Sequence, residues 1–400
     1  MWIVCQIGAR EHYAVPRALH GVDQLRTLIT DFWTRPGSRL GSLPGARRLQ
    51  DRYHPDLVAA RVEAPNARML GFEAGLRLRK SSGWNATIAR NRLFQKQAIA
   101  LLRHTDLRNP EPPTLFSYSY AALELFRYAK SQGWKTVLGQ IDPGPEEERI
   151  VAAEHRRYPD LGSAWQPAPA DYWNSWHEEL QLADRIIINS EWSRECLLKE
   201  GVPAARLEVI PLVYGGKTQD LETQDARPEE TAIQNSKFKI QHSHATRVLF
   251  LGQINLRKGI GRLLDAMRLL KDEPIELTLA GPSEIDPSAW ADLPNVRWVG
   301  PVPRSEVEIH YDSADLFILP TLSDGYALTQ LEALSRGLPV IASRHCGAAV
   351  VDGSNGWILP DLEPMTIRKS LLESQDKLHT LGSARPPDFG MGELAAVLNK

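Results

Sequence analysis

The stretch that most constrains the fold of this chain is LFILPTLSDGYALTQLEALSRGLPVIAS, residues 316–343. Its pattern predicts an apolar strand (316–319), a polar loop, a helix and a second apolar strand (339–342). Such a unit directs backbone N–H groups at the helix N-terminus toward an anion. Asp324 lies in the loop, and Glu332 follows eight positions later in the helix. The stretch therefore predicts a site for an extended ligand with an anionic middle and hydroxyl-rich ends, as in a nucleotide sugar.

The rest of the chain repeats the alternation of strands and helices. This alternation predicts an α/β fold with parallel sheets covered by helices. With 400 residues, two or three domains are expected. We expect a first Rossmann-like domain at 1–213, a polar linker or loop at 214–246, a second Rossmann-like domain at 247–384 and a tail helix at 385–400.

The composition of the chain indicates its cellular compartment and the kinds of partner it can bind. The net charge of −2 gives no support for nucleic-acid binding. Three scattered cysteines favour a reducing compartment, so we expect a cytoplasmic protein. The opening MWIVCQIG lacks a basic segment and predicts a strand rather than a signal peptide. No apolar run approaches the ~18 residues that a membrane helix needs.

Candidate residues of the first domain follow its predicted strands. Gly8, Arg10 and His12 come after the first strand, and Asp142 comes after KTVLGQI. Loops beyond the carboxyl ends of parallel strands face the ligand crevice, so these residues are candidates for the active site. The alternatives are that His12 is a surface residue at a helix start and that Asp142 only forms a turn.

A basic region spans residues 35–108. It holds fifteen basic and five acidic residues, a local net charge of +10. Such a patch suits peripheral contact with an anionic membrane or with a phosphate-bearing acceptor. The alternative is a solvated helical surface.

The second domain opens with LGQINLRKG, a strand that leads into Arg257, Lys258 and Gly259. The glycine lets backbone approach a ligand, and the lysine can meet a phosphate as a point charge. The dinucleotide fingerprint G-x-G-x-x-G and the P-loop are both absent. The chain has no Asp-x-Asp pair, so we expect neither a metal ion nor a bound cofactor.

The second domain resembles the family 4 glycosyltransferases, the glycosyl transferases group 1, which have the GT-B fold. The motifs that carry the resemblance are FLGQINLRKGIGRLLDA, LTLAG, VRWVGPVPRSEV, ADLFILP, SDGYALTQLEALSRGLPVIAS and VVDGSNGWILP. Together they cover most of residues 248–360, and LADRIIINSEWSRECLLKEGV with VIPL extends the likeness into the first domain. The resemblance implies two Rossmann-like domains facing each other across a cleft, the first binding the acceptor and the second binding the nucleotide-diphosphate sugar.

The resemblance also implies residue roles. Asp324 and Glu332 take the two acidic positions of the family's E-x7-E motif, which contact the donor sugar and the ribose respectively. Lys258 takes the position of the phosphate lysine, and backbone beside Val302 takes that of the grip on the base. The catalytic candidates are therefore Asp324, Lys258, Asp142 and His12. The donor-binding candidates are Gly8, Gln253, Arg257, Lys258, Val302, Asp324, Gly325, Tyr326, Ala327, Leu328 and Glu332, with backbone N–H groups around Tyr326, Ala327 and Leu328 for the diphosphate.

Four positions depart from the family pattern. Asp324 stands where a glutamate is usual, and Gly325-Tyr326-Ala327 stands where glycine-phenylalanine-glycine is usual. Gln253 replaces an arginine, a change for which Arg257 is a candidate substitute.

The function implied is transfer of a sugar from a nucleotide-diphosphate sugar to a hydroxyl of a carbohydrate or lipid-linked acceptor, with retained anomeric configuration. It would serve glycan, polysaccharide or glycolipid synthesis. The alternatives are a GT-B sugar-nucleotide epimerase or hydrolase, and a degenerate nucleotide-sugar-binding subunit without turnover. Taken singly, Glu332 could be a surface acid and Lys258 a cation at a helix start.

Overall fold

The computed structural model describes residues 1–35, 52–104, 111–162, 165–213, 245–378, 381, 386 and 389–400. Contacts divide the chain into two compact units. Unit 1 comprises Met1–Pro145, Pro167–Gly215 and Phe389–Lys400, and unit 2 comprises Glu146–Gln166 and Gly216–Asp388. The predicted linker lies outside the described residues up to position 244, and its last residue, Thr246, belongs to a strand.

Unit 1 contains a seven-stranded parallel sheet. Its strands are β1 (Trp2–Gln6), β2 (Leu25–Thr30), β3 (Val62–Glu63), β4 (Thr114–Tyr118), β5 (Lys135–Gln140), β6 (Arg185–Ile188) and β7 (Leu207–Val209). The strand order β3-β2-β1-β4-β5-β6-β7 reverses between β1 and β4. In open α/β sheets ligands bind at such a switch point, beyond the carboxyl ends of the strands.

Unit 2 contains a six-stranded parallel sheet with the same kind of winding. Its strands are β8 (Thr246–Leu251), β9 (Ile275–Ala280), β10 (Val296–Trp298), β11 (Leu316–Leu319), β12 (Val340–Ser343) and β13 (Gly356–Leu359). The order β10-β9-β8-β11-β12-β13 places its switch point between β8 and β11. The predicted α/β class with two Rossmann-like sheets is thus confirmed.

The α-helices of the described residues lie between these strands and at the end of the chain. In chain order they are α1 (Ala14–Gly21), α2 (Asn66–Leu78), α3 (Gly83–His104), α4 (Leu123–Ser131), α5 (Pro145–Arg157), α6 (Ala170–Leu182), α7 (Glu191–Lys199), α8 (Ile260–Arg268), α9 (Val307–Asp312), α10 (Leu328–Ser335), α11 (Pro364–Lys377) and α12 (Met391–Leu398). Ser190 caps α7 by accepting a hydrogen bond from the Ser193 N–H. No helix in the described part of the chain is both long enough and apolar enough to span a bilayer.

The first sheet buries both of its faces. Ile3 and Cys5 of β1 point into one core cluster, and Trp2 and Val4 point into another. This alternation follows from the two-residue period of a strand, and burial on both sides explains why the strand is apolar throughout.

Two segments group differently from the sequence-based boundaries. Helix α5 groups with unit 2, because Glu154 forms a buried ion pair of 2.7 Å with Arg262 and Tyr158 donates a 2.7 Å hydrogen bond to Asp265. The tail helix α12 groups with unit 1, where Leu394 and Leu398 enter the second core cluster. Neither association is visible in the local sequence pattern.

Candidate functional site

A cluster of charged side chains lies at the switch point of the second sheet. Lys258 ends a short 3₁₀ helix after β8, and Asp324 lies in the loop after β11. The Lys258 ammonium and the Asp324 carboxylate form an ion pair, and Arg257 Nη1 lies 3.6 Å from Asp324 Oδ1. The side chains are 12% and 20% exposed for Lys258 and Asp324 respectively. Two residues predicted to act on the same ligand are therefore in direct contact.

The loop after β8 is held against the end of β11 by its backbone. The Asn255 side chain accepts a 3.1 Å hydrogen bond from the Lys258 N–H and so caps the 3₁₀ turn. Gly259 then adopts a φ of +74°, and a Cβ there would lie 1.9 Å from the Pro320 carbonyl oxygen. A glycine is required at this position because both the left-handed conformation and the close approach exclude a side chain.

The electrostatic balance of this cluster favours charged side chains. Burial alone would raise the pKa of the Asp324 carboxyl, but Lys258 and Arg257 hold it below its ordinary value. Glu147 of α5 lies 3.7 Å from Arg257 Nη1. The two cations and two carboxylates cancel in formal charge. An anionic ligand would thus have to compete with Asp324 and Glu147 for the two cations.

The segment between Asp324 and α10 is a loop. Helix α10 begins at Leu328, so Asp324 lies in the loop and Glu332 in the helix, as the sequence pattern predicts. The Ala327 N–H donates to the Cys346 carbonyl at 2.9 Å. This N–H is therefore already engaged within the protein, and its predicted role in binding diphosphate stays a prediction. At the start of α10 the Gln330 N–H donates to the Ala327 carbonyl at 3.3 Å, so the N–H groups of Leu328 and Thr329 are the further candidates.

Tyr326, at the position where the family usually has phenylalanine, is buried and packs on Gly347. A Cβ at Gly347 would lie 2.4 Å from the Tyr326 ring. The ring thereby joins the loop containing Gly325 to the segment after β12. This packing is compatible with a structural role for residues 325–327 in fixing the Asp324 loop.

The other donor-site candidates lie around the same sheet edge. Glu332 in α10 is half-buried and accepts a 2.9 Å hydrogen bond from the Tyr311 hydroxyl. Gln253 is exposed after β8 and donates to Glu284. Val302 follows β10. Glu332 is therefore oriented by Tyr311, and Gln253 is oriented by Glu284.

The candidates of the first domain lie at the carboxyl edge of the first sheet. His12 has a left-handed backbone with φ of +52°, between Glu11 and Tyr13 at +51° and +60°. Three consecutive non-glycine residues in this conformation are strained, and such strain clusters at functional sites. Gly8, counted with the donor set, lies in this unit and donates its N–H to Asp31 at 2.8 Å.

Asp142 has the contacts of a turn former. Its side chain accepts a 2.9 Å hydrogen bond from the Gly144 N–H, and Gln140 donates to its carbonyl at 2.9 Å. The Tyr120 hydroxyl also donates to its carboxylate. These contacts explain the orientation of the Asp142 side chain without a ligand. Its catalytic role stays a prediction.

Two acids of interest escaped the sequence-based reasoning. Glu11 accepts a 3.0 Å hydrogen bond from the Tyr118 hydroxyl, and burial raises the pKa of its carboxyl. The sequence signal for Glu11 was its position between Arg10 and His12, which were both considered for the active site.

Glu147 was placed in the first domain together with α5, so its approach to Arg257 could not be predicted. Among the described residues, no group of three or more His, Cys, Asp or Glu side chains is arranged to hold a metal ion.

Comparison with known proteins gives a family match within the second unit. Residues 245–374 match the family model described as Glycosyl transferases group 1. The amylovoran biosynthesis glycosyltransferase AmsK of Erwinia amylovora is 29% identical over 160 residues, which are 35% of this chain and 39% of that protein. The chain spans about half the length of the curated relatives it matches. The resemblance to group 1 glycosyltransferases is therefore confirmed over the second unit.

Solved structures match over nearly the whole chain. The catalytic domain of starch synthase IV from Arabidopsis thaliana, bound to ADP and acarbose, aligns with a TM-score of 0.67 at 12% identity and covers 100% of this chain and 98% of that one. The Anabaena protein HepE in complex with UDP-glucose aligns with a TM-score of 0.56 at 14% identity, over 99% of this chain and 94% of that one. At such identities the likeness shows the fold alone, and it confirms the predicted GT-B class.

Proposed function

We propose that this chain is a retaining glycosyltransferase that moves a sugar from a nucleotide-diphosphate sugar to an acceptor hydroxyl in glycan, polysaccharide or glycolipid synthesis. The observation that carries the proposal is the contact of Lys258 with Asp324 at the switch point of the second sheet. The segment matched by the group 1 family contains both residues.

The chemistry that this site would perform is stabilisation of a leaving group. The bond between the anomeric carbon and the diphosphate oxygen breaks, and its electron pair goes to the diphosphate. The acceptor oxygen forms the new bond to the anomeric carbon, and its proton leaves with the nucleoside diphosphate. Lys258 and the first N–H groups of α10 would face the charge that grows on the diphosphate, where preorganised donors lower a barrier most. Asp324 would orient Lys258 before the donor arrives and would contact the sugar afterwards.

Supporting observations come from the known proteins. The HepE and starch synthase IV structures hold UDP-glucose and ADP, and AmsK bears a name from polysaccharide biosynthesis. The retaining outcome rests on the family resemblance.

The test is a coupled measurement of nucleoside diphosphate release from a panel of nucleotide-diphosphate sugars, with and without saccharide and lipid-linked acceptors. We expect release that depends on an acceptor, with the anomeric configuration of the product retained by NMR. Donor consumption without any acceptor would instead favour an epimerase or hydrolase. Donor binding without turnover on every acceptor would favour a degenerate binding subunit.

We also propose that the chain contacts an anionic membrane, on the basis of an exposed apolar side chain among cations in the basic region. Of the basic region, residues 36–51 and 105–108 lie outside the described residues. At the end of α2, Leu78 is 85% exposed and is flanked by the exposed cations Arg77, Arg79 and Lys80. An apolar side chain among cations suits an anionic bilayer surface, where each cation adds about 1 kcal/mol. Co-sedimentation with phosphatidylglycerol vesicles at low salt should fall when Arg79 and Lys80 are changed to serine, and equal sedimentation would contradict the proposal.

A further inference from the structure

A groove in unit 1 is lined by polar residues, none of which is among the candidate site residues named above. It lies among α3, α4 and α6 and has a volume of about 400 Å³, within the ~300–1,000 Å³ of ordinary small-molecule sites. Its lining includes Asn91 and Arg92 of α3, Tyr120, and Asp171, Tyr172 and Asn174 of α6. Tyr120 follows β4, so one end of the groove reaches the carboxyl edge of the first sheet.

The polar groups at the floor of the groove form hydrogen bonds within the protein. Glu179 accepts hydrogen bonds from the backbone N–H groups of Tyr120, Ala122 and Leu123 at 2.7, 2.8 and 3.0 Å. Asn91 donates to the Tyr120 carbonyl at 2.9 Å. A rigid floor of this kind lowers the entropy lost when a ligand is ordered on it.

The walls, in contrast, present polar groups without a protein partner. Over the described residues, neither Asn174 nor Arg92 forms a side-chain hydrogen bond or ion pair, and both are exposed. The Tyr172 ring stacks on Tyr120 at 4.8 Å with an interplanar angle of 12° and also contacts Trp84 at 4.8 Å. The groove therefore combines a fixed aromatic surface with an amide and a guanidinium that are available to a ligand.

The charges of the groove decide which ligand class fits. Arg127 is paired with Glu124 and with Glu178 at 2.6 Å each. These two carboxylates exceed the Arg127 guanidinium by one negative charge, whereas the exposed Arg92 and Asp171 cancel in formal charge. A phosphate-bearing ligand gains no net attraction here, and a hydrophobic ligand would leave the polar walls unsatisfied. Hydroxyl groups both donate and accept, and the C–H face of a sugar ring packs on aromatic surface.

We propose that this groove is a binding site for a neutral oligosaccharide, separate from the donor site. The ligand class follows from the lining residues and does not depend on the proposed transferase activity. In a protein that extends a glycan, such a site would hold a part of the chain away from the reacting end.

The experiment is saturation-transfer NMR and calorimetry on the full chain with linear gluco-, manno- and galacto-oligosaccharides. We expect at least one series to bind the wild type and to bind Asn174→Ala roughly two- to tenfold more weakly, the loss of about one hydrogen bond. Arg92→Gln should weaken binding similarly. Asn85→Ala is the matched control, because Asn85 is exposed on α3 outside the groove lining and should leave affinity unchanged.

Two further arms separate this proposal from the proposed function. Lys258→Ala should retain oligosaccharide binding even where sugar transfer is lost, and inorganic phosphate should not compete for the groove. The proposal is overturned if no series binds the wild type, or if Asn174→Ala and Arg92→Gln both bind as tightly as Asn85→Ala.

Discussion

Removal of the Lys258 ammonium tests the proposed role of this side chain in sugar transfer. In Lys258→Ala the Asp324 carboxylate, which is 20% exposed, loses its ion-pair partner. It keeps Arg257 at 3.6 Å and a hydrogen bond from the Gly325 N–H. The variant therefore leaves a partly buried acid with a second cation rather than an isolated charge.

The magnitudes separate the effect on stability from the effect on rate. Breaking a buried pair so that a charge is isolated costs about 3–5 kcal/mol. Arg257 at 3.6 Å contributes a gross attraction of about 4–5 kcal/mol at an effective dielectric constant of 20. We therefore expect a loss of unfolding free energy of only about 1–2 kcal/mol, or roughly 2–8 °C in Tm for a domain of this size.

The rate should suffer far more. If Lys258 faces the charge that develops on the diphosphate, its loss should reduce turnover by about 10²–10³, equivalent to ~3–4 kcal/mol of transition-state stabilisation. The assay is nucleoside diphosphate release under saturating donor, run with thermal denaturation of the same samples. Lys271→Ala is the control, since Lys271 is an exposed lysine of the same unit. Turnover equal to that of the control would refute the role given to Lys258, and a loss of the folded state would refute the compensation by Arg257.

Three further outcomes are expected. Asp324→Asn should slow sugar transfer yet raise nucleoside diphosphate affinity by up to ~tenfold in calorimetry, because the carboxylate no longer competes for Lys258 and Arg257; weaker binding would contradict this. Gly259→Ala should cost at least roughly 1–3 kcal/mol in denaturant unfolding from its positive φ alone, whereas Gly21→Ala, with open space at its Cβ, should change little. Burial raises the pKa of Glu179 from 4.5 to about 7, so the folded state binds this proton more tightly than the unfolded state does. The free energy of unfolding should therefore fall by roughly 3 kcal/mol as the pH rises from 4.5 to 7. Denaturation measured across this pH range should show a smaller fall for Glu179→Gln, and an equal fall would rule out Glu179 as its source.

Sequence patterns located the strands best where burial makes them apolar throughout. The predicted bounds of β11 coincide with the structure, and those of β12 differ by one residue at each end. Strand β2 was not predicted, because Arg26, Thr27 and Thr30 interrupt its apolar pattern. In the structure Thr27 and Thr30 are nevertheless buried between neighbouring elements.

The site could be predicted as a set of residues but not as a set of contacts. Lys258 and Asp324 were both identified, yet 66 positions separate them and no local pattern shows that they pair. The approach of Glu147 to Arg257 depends on α5 packing within unit 2, which only tertiary contacts determine. The same is true of Glu179, which caps α4 from a distance of 56 and 57 residues.

The central claim is that the second unit binds a nucleotide-diphosphate sugar at Lys258 and Asp324. Its most direct test is a thermal-shift titration of the wild type and Lys258→Ala with a panel of nucleotide-diphosphate sugars. At about 100 times the dissociation constant a donor should stabilise the wild type by ~2.7 kcal/mol, and the variant by much less at the same concentration. Equal stabilisation of the two proteins, or none of the wild type by any donor, would contradict the account.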